Sequence, residues 1–347
     1  MNLYLANGYL DMSKIIDDPN PFVFVIGGRG IGKTYGALSY LLNKDKRFLL
    51  MRRTQAQTDL ISKPDFSPFK SINEDLDINI VTAPVNKYSA GYYVGVEKDG
   101  KIVPQGAPIG YTCALSTISN LRGFDSSDID IIIYDEFIPE SHERTMRAEG
   151  QALLNAYETV NRNRELNGKE PVKLVALSNS NDIANPIFIE LNIIPIVDRM
   201  MKKGQEYYSN PSRGLTIINV LHSPISDRKQ ETALYKLASD DSEFSEMALH
   251  NNYNTDRGSR IKSIKLTDYN PVVKVGDITF YKHKSDNKYY CSMHKSGTCP
   301  EFLANDTDFK RFKNRYLFLW WAYISNKIDF ESILCETLYN TYYKTFK

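Results

Sequence analysis

Residues 22–42 read FVFVIGGRGIGKTYGALSYLL: an apolar run, a cluster of glycines framing Lys33 and Thr34, then apolar residues at helical spacing. The first part predicts a buried strand, the last a helix. Between them, Gly27, Gly28, Arg29, Gly30, Ile31, Gly32, Lys33 and Thr34 fit the pattern G-x-x-x-x-G-K-[ST]. Glycines allow successive backbone N–H groups to turn inward and form an anion nest. Lys33 can then reach the β and γ phosphates of a nucleotide, and the Thr34 hydroxyl can hold Mg²⁺. The positive end of the following helix points at the same phosphates.

A loop of this kind needs a second carboxylate on the metal side, at the end of a neighbouring strand. The stretch IDIIIYDEF (129–137) supplies it, with Asp135 emerging from a continuous apolar run. Glu136, directly after, points elsewhere and can orient and deprotonate an attacking water. That pair suits hydrolysis rather than phosphoryl transfer to a small molecule. A third strand, in VALSNSND (175–182), ends in Ser178 and Asn179, and Asn179 is positioned to sense the γ-phosphate. TVNRNRE (159–165) puts Arg162 and Arg164 at the end of an expected helix, where arginines favour the helix dipole. In a ring ATPase the same position can face the neighbouring subunit's γ-phosphate, with Arg164 ahead of Arg162. Arg52 and Arg53, in MRRT (51–54), read either as contacts to nucleotide or DNA or as a solvated strand end.

Around these motifs the first 195 residues alternate strands with helices. Strands are expected at 22–26, 48–51, 129–134 and 172–177, helices at 33–43 and 144–165, and a hairpin turning at Asp99-Gly100 within 91–115. The fold class is therefore α/β, with a P-loop parallel sheet followed by a smaller α+β domain. The polar stretch MKKGQEYYSNPSRG predicts a linker. Domains are accordingly expected at 1–200 and 215–347, joined by 201–214, with a helix near 227–239 and a strand-rich segment over 271–293.

Composition bounds the partners. The chain has 347 residues and a formal charge of +1, which excludes a global basic field, so any nucleic-acid contact must be local. The opening residues show no signal-peptide pattern, and the longest apolar stretch, 316–324, is too short to span a bilayer. A soluble protein of the cytoplasm is expected, without disulfides among Cys113, Cys291, Cys299 and Cys335. Cys291, His294 and Cys299 have a zinc-like spacing but lack a clear fourth ligand, so no metal is expected there. FKRFKNRY (309–316) reads as a helix burying Phe309, Phe312 and Tyr316 and solvating Lys310, Arg311, Lys313 and Arg315, or as a contact to DNA backbone or a structural RNA.

The segments FVIGGRGIGKTYG, IIYDEF, TVNRNRE and LSNSNDIANPIF resemble, in order and spacing, the genome-packaging ATPases of small phi-29-like phages. These are additional-strand, catalytic-glutamate P-loop ATPases, and are terminase-like. The resemblance covers the first 195 residues well and the rest loosely, through FSEMALHNNY (244–253). It implies that ATP and Mg²⁺ are the cofactors, that Lys33, Thr34 and Asp135 hold them, that Glu136 is catalytic, and that Arg164 is a finger acting in trans. It further implies a homo-oligomeric ring, pentameric by family, at the portal of an empty procapsid in the host cytoplasm. There it drives double-stranded DNA inward, and a structural packaging RNA is admitted as a further partner. SNLRGFD (119–125) is similar to a Leu-Arg-Gly segment of larger terminases. Their second domain is an RNase H-like nuclease. Here SDDSEFSE (239–246) reads better as a helix start, and Asp277 and Asp286 lack companions, so a nuclease-like fold without nuclease activity is expected. The alternatives are another P-loop ATPase acting on nucleic acid, such as a helicase, or a phage-assembly ATPase.

Overall fold

The computed structural model describes residues 2–44, 46–121, 126–139, 143, 146, 148–179, 183, 185–238, 245, 248 and 260–344. The chain forms two compact units, Met1–Tyr253 and Asn254–Lys347.

The first unit is built on a nine-stranded sheet. Its strands are β1 (Phe22–Gly27), β2 (Arg47–Arg52), β3 (Ile80–Asn86), β4 (Ser89–Lys98), β5 (Lys101–Ala114), β6 (Ile129–Asp135), β7 (Lys173–Ser178), β8 (Tyr207–Asn210) and β9 (Leu215–Val220). They lie in the order β3-β4-β5-β2-β6-β7-β1-β9-β8. From β5 to β9 in that order the strands run parallel, and antiparallel pairs close both edges. Parallel central strands are covered on both faces, which is why β1, β6 and β7 read as unbroken apolar runs. The covering helices are α1 (Met12–Ile16), α2 (Lys33–Leu42), α3 (Gln55–Ile61), α4 (Lys70–Leu76), α5 (Glu149–Asn161), α6 (Pro186–Glu190), α7 (Ile194–Lys202), α8 (Pro224–Gln230) and α9 (Ala233–Leu237). Helix α2 buries Ala37, Leu38 and Leu41 against the sheet, in one core with Val23, Val25, Ile131 and Ile133. The β4–β5 hairpin turns at Asp99 and Gly100 with φ of 51° and 74°, the paired positive angles that such a two-residue turn needs.

Three expectations are corrected. Residues 201–214 are not a linker: they hold the end of α7 and the edge strand β8, and β9 pairs along its length with β1, Phe22 opposite Leu215 and Gly27 opposite Val220. The first unit therefore runs to Tyr253 rather than ending near residue 200. The cause is chemical. An edge strand and the tight turn at Gly214 (φ 59°) are polar and glycine-rich for the same reasons that linkers are. Of the helix expected over 144–165, residues 149–161 form α5, which starts after Ala148 (φ 51°) and ends where Arg162 takes a φ of 49°, while residues 144, 145 and 147 lie outside the described residues. The helix expected at 227–239 is two short ones, α8 and α9.

The second unit contains a five-stranded sheet of β10 (Tyr269–Val275), β11 (Ile278–His283), β12 (Tyr289–Ser292), β13 (Glu301–Phe302) and β14 (Ile328–Phe330), ordered β13-β10-β11-β12-β14. β10, β11 and β12 form an antiparallel meander, and each outer strand joins it in parallel. The helix Asp306–Arg315 buries Phe309 and Phe312 and exposes Lys310, Arg311 and Arg315, as its amphipathic pattern requires. Lys313 folds back to donate to the Tyr343 carbonyl at 2.6 Å. Asp277 and Asp286 lie beyond opposite ends of β11. Cys291 and Cys335 are buried side by side, whereas His294 is 82% exposed and faces Glu331.

Candidate functional site

The ends of parallel strands carry free backbone groups and emerging side chains along one edge, where α/β sheets bind ligands. Gly27, Arg52, Asp135 and Ser178 close β1, β2, β6 and β7 there. After β1 the chain turns through Gly30 (φ 66°) and Gly32 (φ 91°), a conformation that β-carbons disfavour, and α2 begins at Lys33 with no side chain capping its first turn. N–H groups in the first turn of a helix are the kind that bind an anion.

Lys33 lies back along the loop, almost wholly buried. Its ammonium donates to the carbonyls of Gly27 (2.9 Å) and Gly28 (2.7 Å) and to Asn179 Oδ1 (3.1 Å). Burial pulls its pKa down to about 7, with Asp135 opposing the shift. The Thr34 hydroxyl donates to Asp135 Oδ2 at 2.8 Å, so the two groups read as metal ligands meet directly. Hydroxyl and carboxylate oxygens are the donors Mg²⁺ takes, usually beside phosphate and water. Thr34 and Asp135 fit such an ion.

Glu136 stands just beyond Asp135 with a φ of 57°, a left-handed backbone rare for glutamate, and half of its side chain is exposed. Arg52 bridges the pair: Nη2 lies 3.0 Å from Asp135 Oδ2 and Nη1 lies 2.5 Å from Glu136 Oε2. Burial opposes its charge, but Asp135 and Glu136 outweigh that and hold its pKa above the ordinary value. Ser178 accepts from the Ile138 N–H at 3.1 Å, which fixes the chain leaving Glu136.

The structure thus brings Lys33, Thr34, Asp135, Glu136 and Asn179 together. Arg164 is not with them. It lies past the end of α5, its Nη1 donating to the Ile129 carbonyl (2.5 Å) and its Nη2 to Asp130 Oδ1 (2.8 Å). Those partners open β6, whereas Asp135 closes it, so roughly 20 Å of strand separates Arg164 from its own nest at ~3.3 Å per residue. Arg162 is exposed beside it. Arg53 is buried against Glu149, and neither a nucleotide contact nor a solvated end describes it. Ser180, Asn181, Asp182, Arg122, residues 239–244 and most of 244–253 lie outside the described residues.

Two features escaped the sequence reading. One is the grip of Arg52 on both carboxylates, which needs β2 beside β6. The other is a cavity of about 790 Å³ beside the nest, lined by Tyr9, Leu10, Gly30, Gly32, Tyr35 and Asp75 among others. Its volume suits a nucleoside-sized ligand. Tyr9 and Tyr35 present half-exposed rings to it, and the Tyr35 hydroxyl donates to Asp75 at 2.8 Å.

A family model described as podovirus DNA encapsidation protein (Gp16) matches residues 6–293. The DNA packaging proteins of Bacillus phages PZA and phi29 are each 27% identical to the chain over 236 residues, 66% of this chain and 61% of theirs. The chain thus spans 61% of the length of these relatives. The DNA packaging protein of Bacillus phage B103 is 26% identical over 238 residues, 67% of this chain and 64% of that one. Among solved structures, a chain of the bacteriophage Phi-29 viral genome packaging motor assembly superposes with a TM-score of 0.67 at 20% identity, over 98% of this chain and all of that one. The Phi-28 gp11 DNA packaging motor gives 0.62 at 18%, over 99% of both chains. At these identities the structural likeness is one of fold.

Proposed function

The chain belongs to the podovirus DNA encapsidation protein (Gp16) family, and from that premise we propose that it is an ATP-hydrolysing motor subunit that moves double-stranded viral DNA into a preformed procapsid. The observation that carries the reading is the direct bond from Thr34 to Asp135, with Glu136 beside it and Lys33 tied to Asn179. Those groups come from the start of α2, the end of β6 and the residue after β7, and a nucleotide with its metal would employ them together.

In this reading Lys33 and the loop N–H groups of residues 27–34 bind the phosphates, and the cavity beside Tyr9 and Tyr35 takes the nucleoside. Thr34 and Asp135 would hold Mg²⁺, which neutralises charge on the β and γ phosphates when bound. Glu136 orients water and accepts its proton, while Asn179 reports γ-phosphate to Lys33. Arg164, too far along β6 to serve its own site, acts on the neighbouring subunit in a ring. Portal and DNA are the partners, a packaging RNA a further one, and nuclease activity is not expected.

The test is ATP turnover with and without double-stranded DNA and empty capsids. Stimulation by both is expected. Lys33→Ala should abolish nucleotide binding, and Glu136→Gln should bind nucleotide but not hydrolyse it. Wild-type turnover in Glu136→Gln would remove the catalytic assignment, and strand separation without capsids would favour a helicase.

A further inference from the structure

We propose that Lys229 is a second lysine ligand of the nucleotide phosphates, delivered to the mouth of the loop by the helix that follows the last parallel strand. The inference rests on reading residues 27–34 as a nucleotide site. Helix α8 starts at Pro224, just behind β9, and carries Lys229 in its last turn. Its neighbours Arg228 and Gln230 are exposed, but Lys229 is half-buried and folded back on the loop. Its ammonium donates to the Arg29 carbonyl, and a β-carbon built on Gly30 would lie 2.8 Å from Nζ. The Tyr235 ring of α9 flanks it, 5.7 Å from Nζ to centroid.

A lysine free to choose would extend its ammonium into water, where hydration is best. This one is held on a carbonyl, and among the described residues no carboxylate pairs with it. Asp227, on the same helix, faces His222 instead. Burial and then Arg29 hold the Lys229 pKa below its ordinary value, and both Lys229 and Arg29 act against the charge on Lys33. The Lys33 and Lys229 ammoniums therefore both turn onto one loop, held there by its backbone carbonyls, where a phosphate seated in the nest would meet both. A triphosphate brings more charge to this mouth than a diphosphate, so Lys229 should discriminate between them.

The experiment measures affinities of the full chain for a non-hydrolysable ATP analogue and for ADP, with Mg²⁺, in wild type, Lys229→Ala, Lys229→Arg and Lys33→Ala. A charge-assisted hydrogen bond to phosphate corresponds to about tenfold or more in affinity. Lys229→Ala is expected to weaken the ATP analogue by that factor and ADP by less, Lys229→Arg to retain most of the affinity, and the nucleotide-free unfolding midpoint to stay put. Wild-type affinity in Lys229→Ala would overturn the proposal. So would equal losses for both nucleotides with a lowered midpoint, the mark of a staple between α8 and the loop. If wild type and Lys33→Ala both failed to bind, the nucleotide reading itself would fall, and this proposal with it.

Discussion

Replacing Glu149 by alanine should cost the first unit about 3–5 kcal/mol, because it takes from a buried guanidinium its fully buried counter-charge. Arg53 is 1% exposed and Glu149 is fully buried, joined by a fork of Nε to Oε1 at 2.7 Å and Nη2 to Oε2 at 3.0 Å. The Tyr134 hydroxyl donates to the same carboxylate at 3.2 Å. After Glu149→Ala the nearest described carboxylate left to Arg53 is Glu143, 3.2 Å away and 31% exposed. Glu149→Gln keeps the shape and one acceptor, so its cost should be about half, near 2 kcal/mol. Arg53→Met with Glu149→Leu removes both charges together and should be far milder than either single change. At roughly 2–4 °C per kcal/mol for a unit of this size, the alanine variant should melt about 6–20 °C lower. Both tryptophans, Trp320 and Trp321, belong to the second unit, so far-ultraviolet circular dichroism is the signal to follow. A loss under about 1 kcal/mol for Glu149→Ala, or a double variant as unstable as the single, would refute the argument that the pair is buried and mutually dependent.

Two further outcomes concern catalysis. Arg164→Ala should lower ATP turnover by about 10³, as a finger in trans would, and mixing it with Glu136→Gln should restore activity only when rings assemble. A variant that is merely less stable, through loss of its bonds to Ile129 and Asp130, would show no such rescue and would return Arg164 to a structural role. Arg52→Ala should lower the Mg²⁺ concentration needed for half-maximal turnover, because Asp135 is freed, and lower the maximal rate, because Glu136 loses its anchor. Mg²⁺ titrations with both parameters unchanged would show that the Arg52 grip has no part in the reaction.

What was legible in the sequence was whatever local chemistry dictates. A continuous apolar run means a strand covered on both faces, so β1, β6 and β7 were readable within a residue or two. Glycines that must take positive φ mark the loop at Gly30 and Gly32, and Asp99-Gly100 marks the hairpin, because few other residues accept those angles. Motif chemistry then placed Lys33, Thr34, Asp135, Glu136 and Asn179 at one sheet edge, where the structure brings them together.

Tertiary structure alone decided which strands lie side by side, and most of what was missed follows from that order. β9 reaches β1 across a turn that resembles a linker, because nothing in a polar, glycine-containing stretch records whether a strand on its far side returns to the sheet. Arg52 grips Asp135 and Glu136 only because β2 neighbours β6. Arg53 meets Glu149 across 96 positions and Lys229 reaches the Arg29 carbonyl across 200, and a charge in the sequence carries no sign of its partner. Local pattern encodes burial and backbone angle, which each residue feels within its own few neighbours. Pairing between distant charges depends on the order of strands, and that order is set by the packing of the whole unit.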